Sequence, residues 1–305
     1  MFLKPGLLAE TVLDVYNFIV KDLTEAIGHL PSQVKSRVRM SKQAAQCLLG
    51  KVYVFMGKFD DAIPLFESAL TNLSSLNVQV GLYDYNNTFA NGGEFLPLGP
   101  FGPRYPNTFD NKENLFAKQF LNSWSFAFSE VLLAPETTGL FNSADLRLNF
   151  YSNTAFFGPA FDIPGVLRRI SPGATQFGIV LPDVYLLSAE CKARRGDITG
   201  AKEDLYAVRS RRMPLAEAVV PDNLNSVQLT EFIITERIRE FAVQGYRWFD
   251  MRRLSVDPLF SGKTYKHIHY LSESEKETYV LKPQRLTMRF PRVIIDQNPG
   301  MLNNP

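Results

Sequence analysis

This chain of 305 residues is short of the features that announce most kinds of function. It has two cysteines, Cys47 and Cys191, too few for a disulfide framework. Both fall inside helical patterns, where a free thiol acts as a small apolar core group. It has three histidines. His29 ends a helical pattern, where the C-terminal dipole explains it. The pair His267 and His269 has no Cys or Asp cluster beside it, so it reads as solvated loop and no metal centre is expected. No apolar run approaches the roughly 18 residues that a membrane span needs. Residues 1–17 lack the long apolar stretch and small-residue cleavage site of a secretory leader.

Nor does charge of one sign dominate. Lys and Arg total 33 and Asp and Glu 31, for a formal net charge of +2. That excludes a strongly basic nucleic-acid face or a strong pull toward anionic lipid. The basic doublets Arg168-Arg169, Arg194-Arg195, Arg211-Arg212 and Arg252-Arg253 are scattered and balanced by acids, and read as solvated faces or salt bridges. There is no Gly-rich phosphate loop, no G-x-S-x-G elbow and no Cys/His pairing of known form, so no cofactor is implied.

What is present suits a folded globular protein: 45% hydrophobic and 21% charged residues. The chain is rich in Phe (24) and Tyr (12) against two Trp. Residues 11–30 place Val12, Val15, Ile19, Leu23, Ala26 and Leu30 on one helical face, and Pro31 stops it. Ser41 is placed to cap a helix over 42–56. Residues 43–70 then read as a helical hairpin of tetratricopeptide (TPR) type: Leu49-Gly50, Tyr53, Gly57, Phe59, Ala62, Phe66 and Ala69. Small Gly50 and Ala62 let two helices approach, Tyr53 and Phe66 fill between them, and Gly57 turns the chain. A second such hairpin is expected over 183–209, with its turn at Gly196-Asp197. The two turns lie about 140 residues apart rather than the roughly 34 of a tandem array. A stretch of different texture, 81–180, separates them; it is rich in Pro, Gly and Asn and without helical period. It should be loops and short strands laid on a helical scaffold, where functional groups tend to sit. The tail from Lys263 also reads as loop-rich.

The most specific stretch is 233–253. A mixed charged and apolar helix runs into Gly245, where the chain can reverse without a Cβ penalty. Arg247, Trp248, Asp250 and Arg253 follow at once. Glu236, Arg237, Glu240, Gly245, Arg247, Trp248, Asp250 and Arg253 together resemble the C-terminal signature of the SusD/RagB family, the cell-surface glycan-binding lipoproteins of Bacteroidetes. Gln244 departs from it, standing where the family usually carries Glu. Asp22-Leu23, Ala26, Leu30-Pro31, Glu113 to Phe116, Asp145 with Arg147, and the closing Phe290 to Pro305 resemble other family landmarks in the same order.

The resemblance implies a mainly α fold, with TPR-like hairpins supporting a loop-rich region. Its organisation would be a TPR-like segment at 1–80, a candidate glycan-binding insert at 81–180, and a second hairpin, signature helix and C-terminal loops at 181–305, all one domain. The helices from Thr11, Gln43, Asp183 and Leu229 should pack together. The resemblance also implies a non-enzymatic protein that binds oligo- or polysaccharide and sits over a SusC-like TonB-dependent transporter. Its place would be the outer face of the outer membrane, held by lipid. Family members open with a lipoprotein signal, an acylated Cys and a further helical region, and the chain reads as beginning after these. Loss of such helices would expose apolar faces.

Sugar recognition needs flat aromatic faces with amides or guanidiniums beside them. The insert offers Trp124 with Asn122, Tyr83 and Tyr85 before Asn86-Asn87, and Phe101, Arg104, Tyr105 and Asn107 in a Gly/Pro-rich loop. The bland alternative is that the tyrosines cap the core, since buried Tyr is common. Glu236 and Glu240 sit one turn apart, but pairs such as Glu236–Arg239 and Arg237–Glu240 read as ordinary helix electrostatics rather than a glycosidase dyad. Two rival functions remain: a TPR-type peptide adaptor and, less favoured, a glycoside hydrolase.

Overall fold

The computed structural model describes residues 11–98, 105–121 and 131–304. Helix α1 (Val12–His29) opens on a reciprocal cap, in which the Thr11 hydroxyl accepts from the Asp14 N–H and the Asp14 carboxylate accepts from the Thr11 N–H. Ser41 caps α2 (Lys42–Phe55), and Gly57, at φ +72°, turns the chain into α3 (Phe59–Thr71). Gly50 is where these helices come closest: a Cβ built there would lie 2.7 Å from the Phe66 ring, itself wholly buried. Only hydrogen in place of a side chain leaves room for that ring. The apolar face of α1 divides. Ile19, Leu23, Ala26 and Leu30 are half-buried and α1 packs on α2, while Val12, Val15 and Phe18 are exposed.

The stretch between the hairpins is built of short pieces, as its composition implied. After the single turn α4 (Tyr85–Thr88) come β1 (Asn114–Phe116), β2 (Gln119–Leu121), β3 (Leu132–Leu133), the turn α5 (Pro135–Thr138), β4 (Tyr151–Ser152), β5 (Leu167–Arg169), β6 (Ala174–Gln176) and β7 (Ile179–Val180). They pair antiparallel as β1–β7, β2–β6 and β3–β5–β4. Buried Arg37, in the α1–α2 connection, donates to the carbonyls of Phe109, Asn114 and Gln79. One side chain thereby satisfies three loop carbonyls that would otherwise face the interior unpaired.

Val180 leads directly into α6 (Leu181–Arg194). Gly196, at φ +85°, reverses the chain into α7 (Ile198–Arg209), followed by α8 (Ser226–Glu240) and α9 (Tyr246–Leu254). Helix α6 is central: it packs on α3, α7 and α8, and also touches α2. Its residues Leu186, Leu187, Ala189, Cys191 and Ala193 are all fully buried. The hairpins distant in sequence therefore form one packed body, as expected. Both cysteines are buried and unpaired, and burial pushes their thiols up.

The tail differs from expectation. It holds a six-residue β-hairpin, β8 (Tyr265–Tyr270) with β9 (Lys276–Leu281), and a last helix, α10 (Arg292–Gln297). Both strands carry polar groups on both faces and are mostly exposed. They lack the apolar–polar alternation by which a half-buried strand is recognised. His267 and His269 stand on β8, in strand rather than loop; among the described residues no cluster of His, Cys, Asp and Glu is set to hold a metal. No helix of the described residues is long and apolar enough to cross a membrane.

Replacing Gly50 by Ala should destabilise the fold by about 1–3 kcal/mol, because its methyl meets a ring with no room to withdraw. Gly57→Ala meets open space and has only its left-handed backbone to pay for, about 1 kcal/mol. Urea denaturation of the two variants distinguishes these costs; equal losses would mean the helices do not meet at Gly50.

Candidate functional site

The signature residues build two buried ionic lattices rather than a solvated helix face. In the first, the Glu236 carboxylate receives three guanidiniums: Arg147 at 2.6 Å, and Arg209 and Arg239 at 2.5 Å each. Arg147 also meets Asp145 at 2.6 Å and Glu240 at 2.9 Å. Glu240 is gripped in turn by Arg212, which reaches Glu113 at 2.8 Å and donates to the Tyr83 carbonyl. Four arginines thus meet four carboxylates (Asp145, Glu113, Glu236, Glu240), so the buried group carries no net charge. Burial alone would push the Glu236 carboxyl up; Arg147, Arg239 and Arg209 overcome it and hold it well below the usual range. Glu113 behaves oppositely. Burial raises it, and Arg212, shared with Glu240, offsets only part.

The second lattice joins the other face of α8 to α6, α9 and the first hairpin. Arg237 bonds Asp183 at 2.8 Å and Asp250 at 3.0 Å. Lys51 of α2 reaches the other Asp183 oxygen at 2.7 Å. Arg253 grips both oxygens of Glu190 at 2.7 Å and meets Asp250 at 2.9 Å. Arg194 links Glu190 to Asp257. Again four cations meet four anions. Burial raises Asp250, and Arg237 and Arg253 more than reverse it, bringing its carboxyl down to about 2.

These contacts correct two expectations. The Glu236–Arg239 pair exists, but Arg237 does not pair with Glu240, and both carboxylates are interior. In the basic doublets the salt-bridge alternative holds for Arg194, Arg195, Arg212 and Arg253, but Arg212, Arg253, Arg168 and Arg169 are buried and Arg194 nearly so, which a solvated face does not allow. Sequence shows a charge but not its burial, since several of the partners are remote: Arg237–Asp183, Arg253–Glu190, Arg147–Glu236, Arg212–Glu113 and Lys51–Asp183 are 54 to 132 positions apart.

Gly245, at φ +85°, starts α9 and sets Tyr246 flat against Phe241, ring centroids 4.1 Å apart. The Tyr246 hydroxyl donates to the Gln176 carbonyl, fastening β6 to the signature. Gln244 donates to the Glu240 carbonyl at the end of α8, a bond that a Glu there could not make. Arg247 lies over the Tyr265 ring at 5.2 Å, and Trp248 is half-buried beside it in sequence.

Over the first lattice lies a crevice bounded by Tyr105, Asn114, Arg147, Arg169, Gln176 and Glu240, with free volume of about 60 Å³. Ligand pockets run to about 300–1,000 Å³. This one is far too small for a sugar ring. Tyr85 was expected to offer a face to ligand; it is buried, with the Arg212 guanidinium 4.2 Å from its ring and Phe89, Phe95 and Phe150 at its edges. Tyr83 is equally buried. Tyr105 is half-buried in the same aromatic cluster, 4.9 Å from Phe95. Asn107 is exposed but bonds Asp110 and the Phe109 N–H, shaping its own turn. Phe101, Arg104, Asn122 and Trp124 lie outside the described residues. The structure therefore brings Tyr85 and Tyr105 together as core, and gathers the signature as scaffold.

Residues 181–305 match the sequence profile of the SusD family. A SusD-like protein of Formosa agariphila is 24% identical over 303 residues, an alignment covering 82% of this chain and 58% of the relative. The chain thus spans little more than half the length of that curated relative. A SusD-like crystal structure from Bacteroides fragilis superposes with TM-score 0.63 at 17% identity, covering all of this chain and 73% of that one. A laminarin-binding SusD-like protein superposes with TM-score 0.54 at 21% identity, covering 79% of this chain and 61% of that one. At these identities the structures share the fold.

Changing Glu236 to Gln leaves three guanidiniums around a neutral amide and should cost about 3–5 kcal/mol of stability. The lowered carboxylates also set the acid limit. Their contribution is complete above the ordinary carboxylate range near pH 4 and is lost as pH falls toward about 2, where Asp250 protonates. Glu113, raised by burial, works in the opposite direction and weakens the fold as pH climbs past its own value. Thermal melts should therefore show the midpoint dropping steeply below pH 4; a midpoint flat down to pH 2 would contradict the lattices.

Proposed function

We propose that this chain, whose residues 181–305 match the SusD family profile and whose fold is that of SusD-like structures, is a SusD/RagB-type protein that binds glycans without cleaving them, at the outer face of an outer membrane, for delivery to a SusC-like TonB-dependent transporter. The observation that carries the reading is the pairing of that family signature with the state of its acids. Glu236 and Glu240, the nearest thing to a glycosidase pair, are buried and each is bound by two or more arginines. A general acid needs a proton near neutral pH and access to the scissile oxygen. Arginines hold both carboxyls below their usual range, so neither keeps a proton near neutral pH, and Glu236 is also sealed in the interior.

The peptide-adaptor reading draws less support. The hairpins are TPR-like, but the insert separates them in the chain, so they are not the tandem array of three or more repeats from which a peptide-binding solenoid is built. Ligand chemistry is then left to the insert's surface, and laminarin binding by one structural neighbour is consistent with a glycan partner.

Incubation with a panel of oligosaccharides tests the proposal directly. Saturable binding by calorimetry, with no shortened products by chromatography after prolonged incubation, is the expected result. Release of shorter sugars would replace the reading with a hydrolase, and capture of peptides but no sugars would replace it with an adaptor.

A further inference from the structure

The ribbon formed by β2 and β6 carries a feature that the core-bound tyrosines do not. Its register pairs Gln119 with Gln176, Phe120 with Thr175, and Leu121 with Ala174. Strand alternation then divides its two faces. Gln176 turns inward, bonding the Asn114 side chain and bordering the crevice. Phe120 is on the other face with Thr175. Phe177, whose N–H donates to the Lys118 carbonyl, continues that face diagonally opposite Phe120. Phe120 is 57% and Phe177 58% exposed. Neither ring meets another aromatic among the described residues, whereas Tyr85, Phe89, Phe95, Tyr105 and Phe150 of the insert pack edge to face.

The rings are held firmly. A Cβ on Gly178 would lie 1.9 Å from the Phe116 carbonyl oxygen, so the backbone crosses β1 in close contact and fixes the turn beside Phe177. The Tyr246 hydroxyl holds the Gln176 carbonyl from behind. Lys118 is exposed and has no ion-pair partner among the described residues; its ammonium stands 5.1 Å from the centroid of the Phe116 ring, a contact that supplies no counter-charge. It is the one charged side chain in the ribbon, 118–121 with 174–177. Two open aromatic faces with an uncompensated cation at their edge suit a sugar carrying a carboxylate: the rings stack on its apolar faces and the ammonium meets the anion. A neutral sugar would use the rings but leave Lys118 without an anion.

We propose that Phe120, Phe177 and Lys118 form a binding platform for acidic saccharides, the uronate class. The proposal rests on the glycan-binding reading above and adds to it the site and the charge of the ligand. All three side chains are exposed, so their removal should leave the fold intact.

Calorimetric titration with an oligogalacturonate and with a neutral glucan oligosaccharide of equal length tests this. Wild-type protein should bind the uronate more tightly. Phe120→Ala with Phe177→Ala should weaken binding of the uronate by about tenfold or more without altering the melting temperature. Lys118→Gln should abolish the preference for the acidic sugar and leave the neutral one unaffected. Uronate binding unchanged in the double variant, or a wild-type preference for the neutral sugar, overturns the platform while the glycan-binding function stands. Wild-type protein that binds no saccharide at all overturns both.

Discussion

The fold depends on neutralising four carboxylates with four cations in each lattice, largely away from water. Moving an ion into the interior costs several kcal/mol even after relaxation, and each isolated guanidinium or carboxylate here would forbid the fold. The structure meets that constraint by matching four against four, twice, with helix α8 as the shared wall. Glu236 and Glu240 face the insert and Arg237 faces the hairpins, so one helix joins both halves of the molecule. Such pairs add little net stability over well-packed apolar groups. They do penalise every arrangement in which one partner is missing, and thus select a single docking of parts that are remote in sequence.

That selectivity explains how an insert with little regular structure can be placed reproducibly. Its strands are two or three residues long, too short to hold themselves. Arg147, Glu113 and Asp145 tie it to α8 and to Arg212, while Arg37 fixes the carbonyls of Phe109 and Asn114 from the α1–α2 connection. Tyr246 extends the same support to β6. The functional surface is therefore a thin, irregular layer whose position is dictated from beneath, the arrangement expected of binding loops on a rigid scaffold.

Much of the scaffold was legible because its cues are local. Ser41, Gly50, Gly57 and Phe66 act within the first hairpin and Gly196 within the second, and each does what its spacing implied. The signature 233–253 was legible as a block, yet its partners were not. Nothing near Arg237 in sequence points to Asp183 or Lys51, and an interior arginine looks like a surface one until its distant acids are located. The burial of Tyr85 was hidden for a related reason. Tyr85 sits among polar neighbours in sequence, but α4 buries its ring under Arg212. Phe120 and Phe177 went unnoticed because Phe in a short strand ordinarily signals core; only their register on a two-stranded ribbon leaves them open. The β8–β9 hairpin was missed because polar side chains on both faces erase the periodicity that would mark it.

A double-mutant cycle between Arg147 in the insert and Glu236 in α8, read by chemical unfolding of Arg147→Met, Glu236→Gln and the pair, measures the link on which this account turns. Coupling of about 1–3 kcal/mol is the predicted result, the double variant losing much less than the two singles together. Losses that add to within about 0.5 kcal/mol would mean that insert and helix do not depend on each other through these charges.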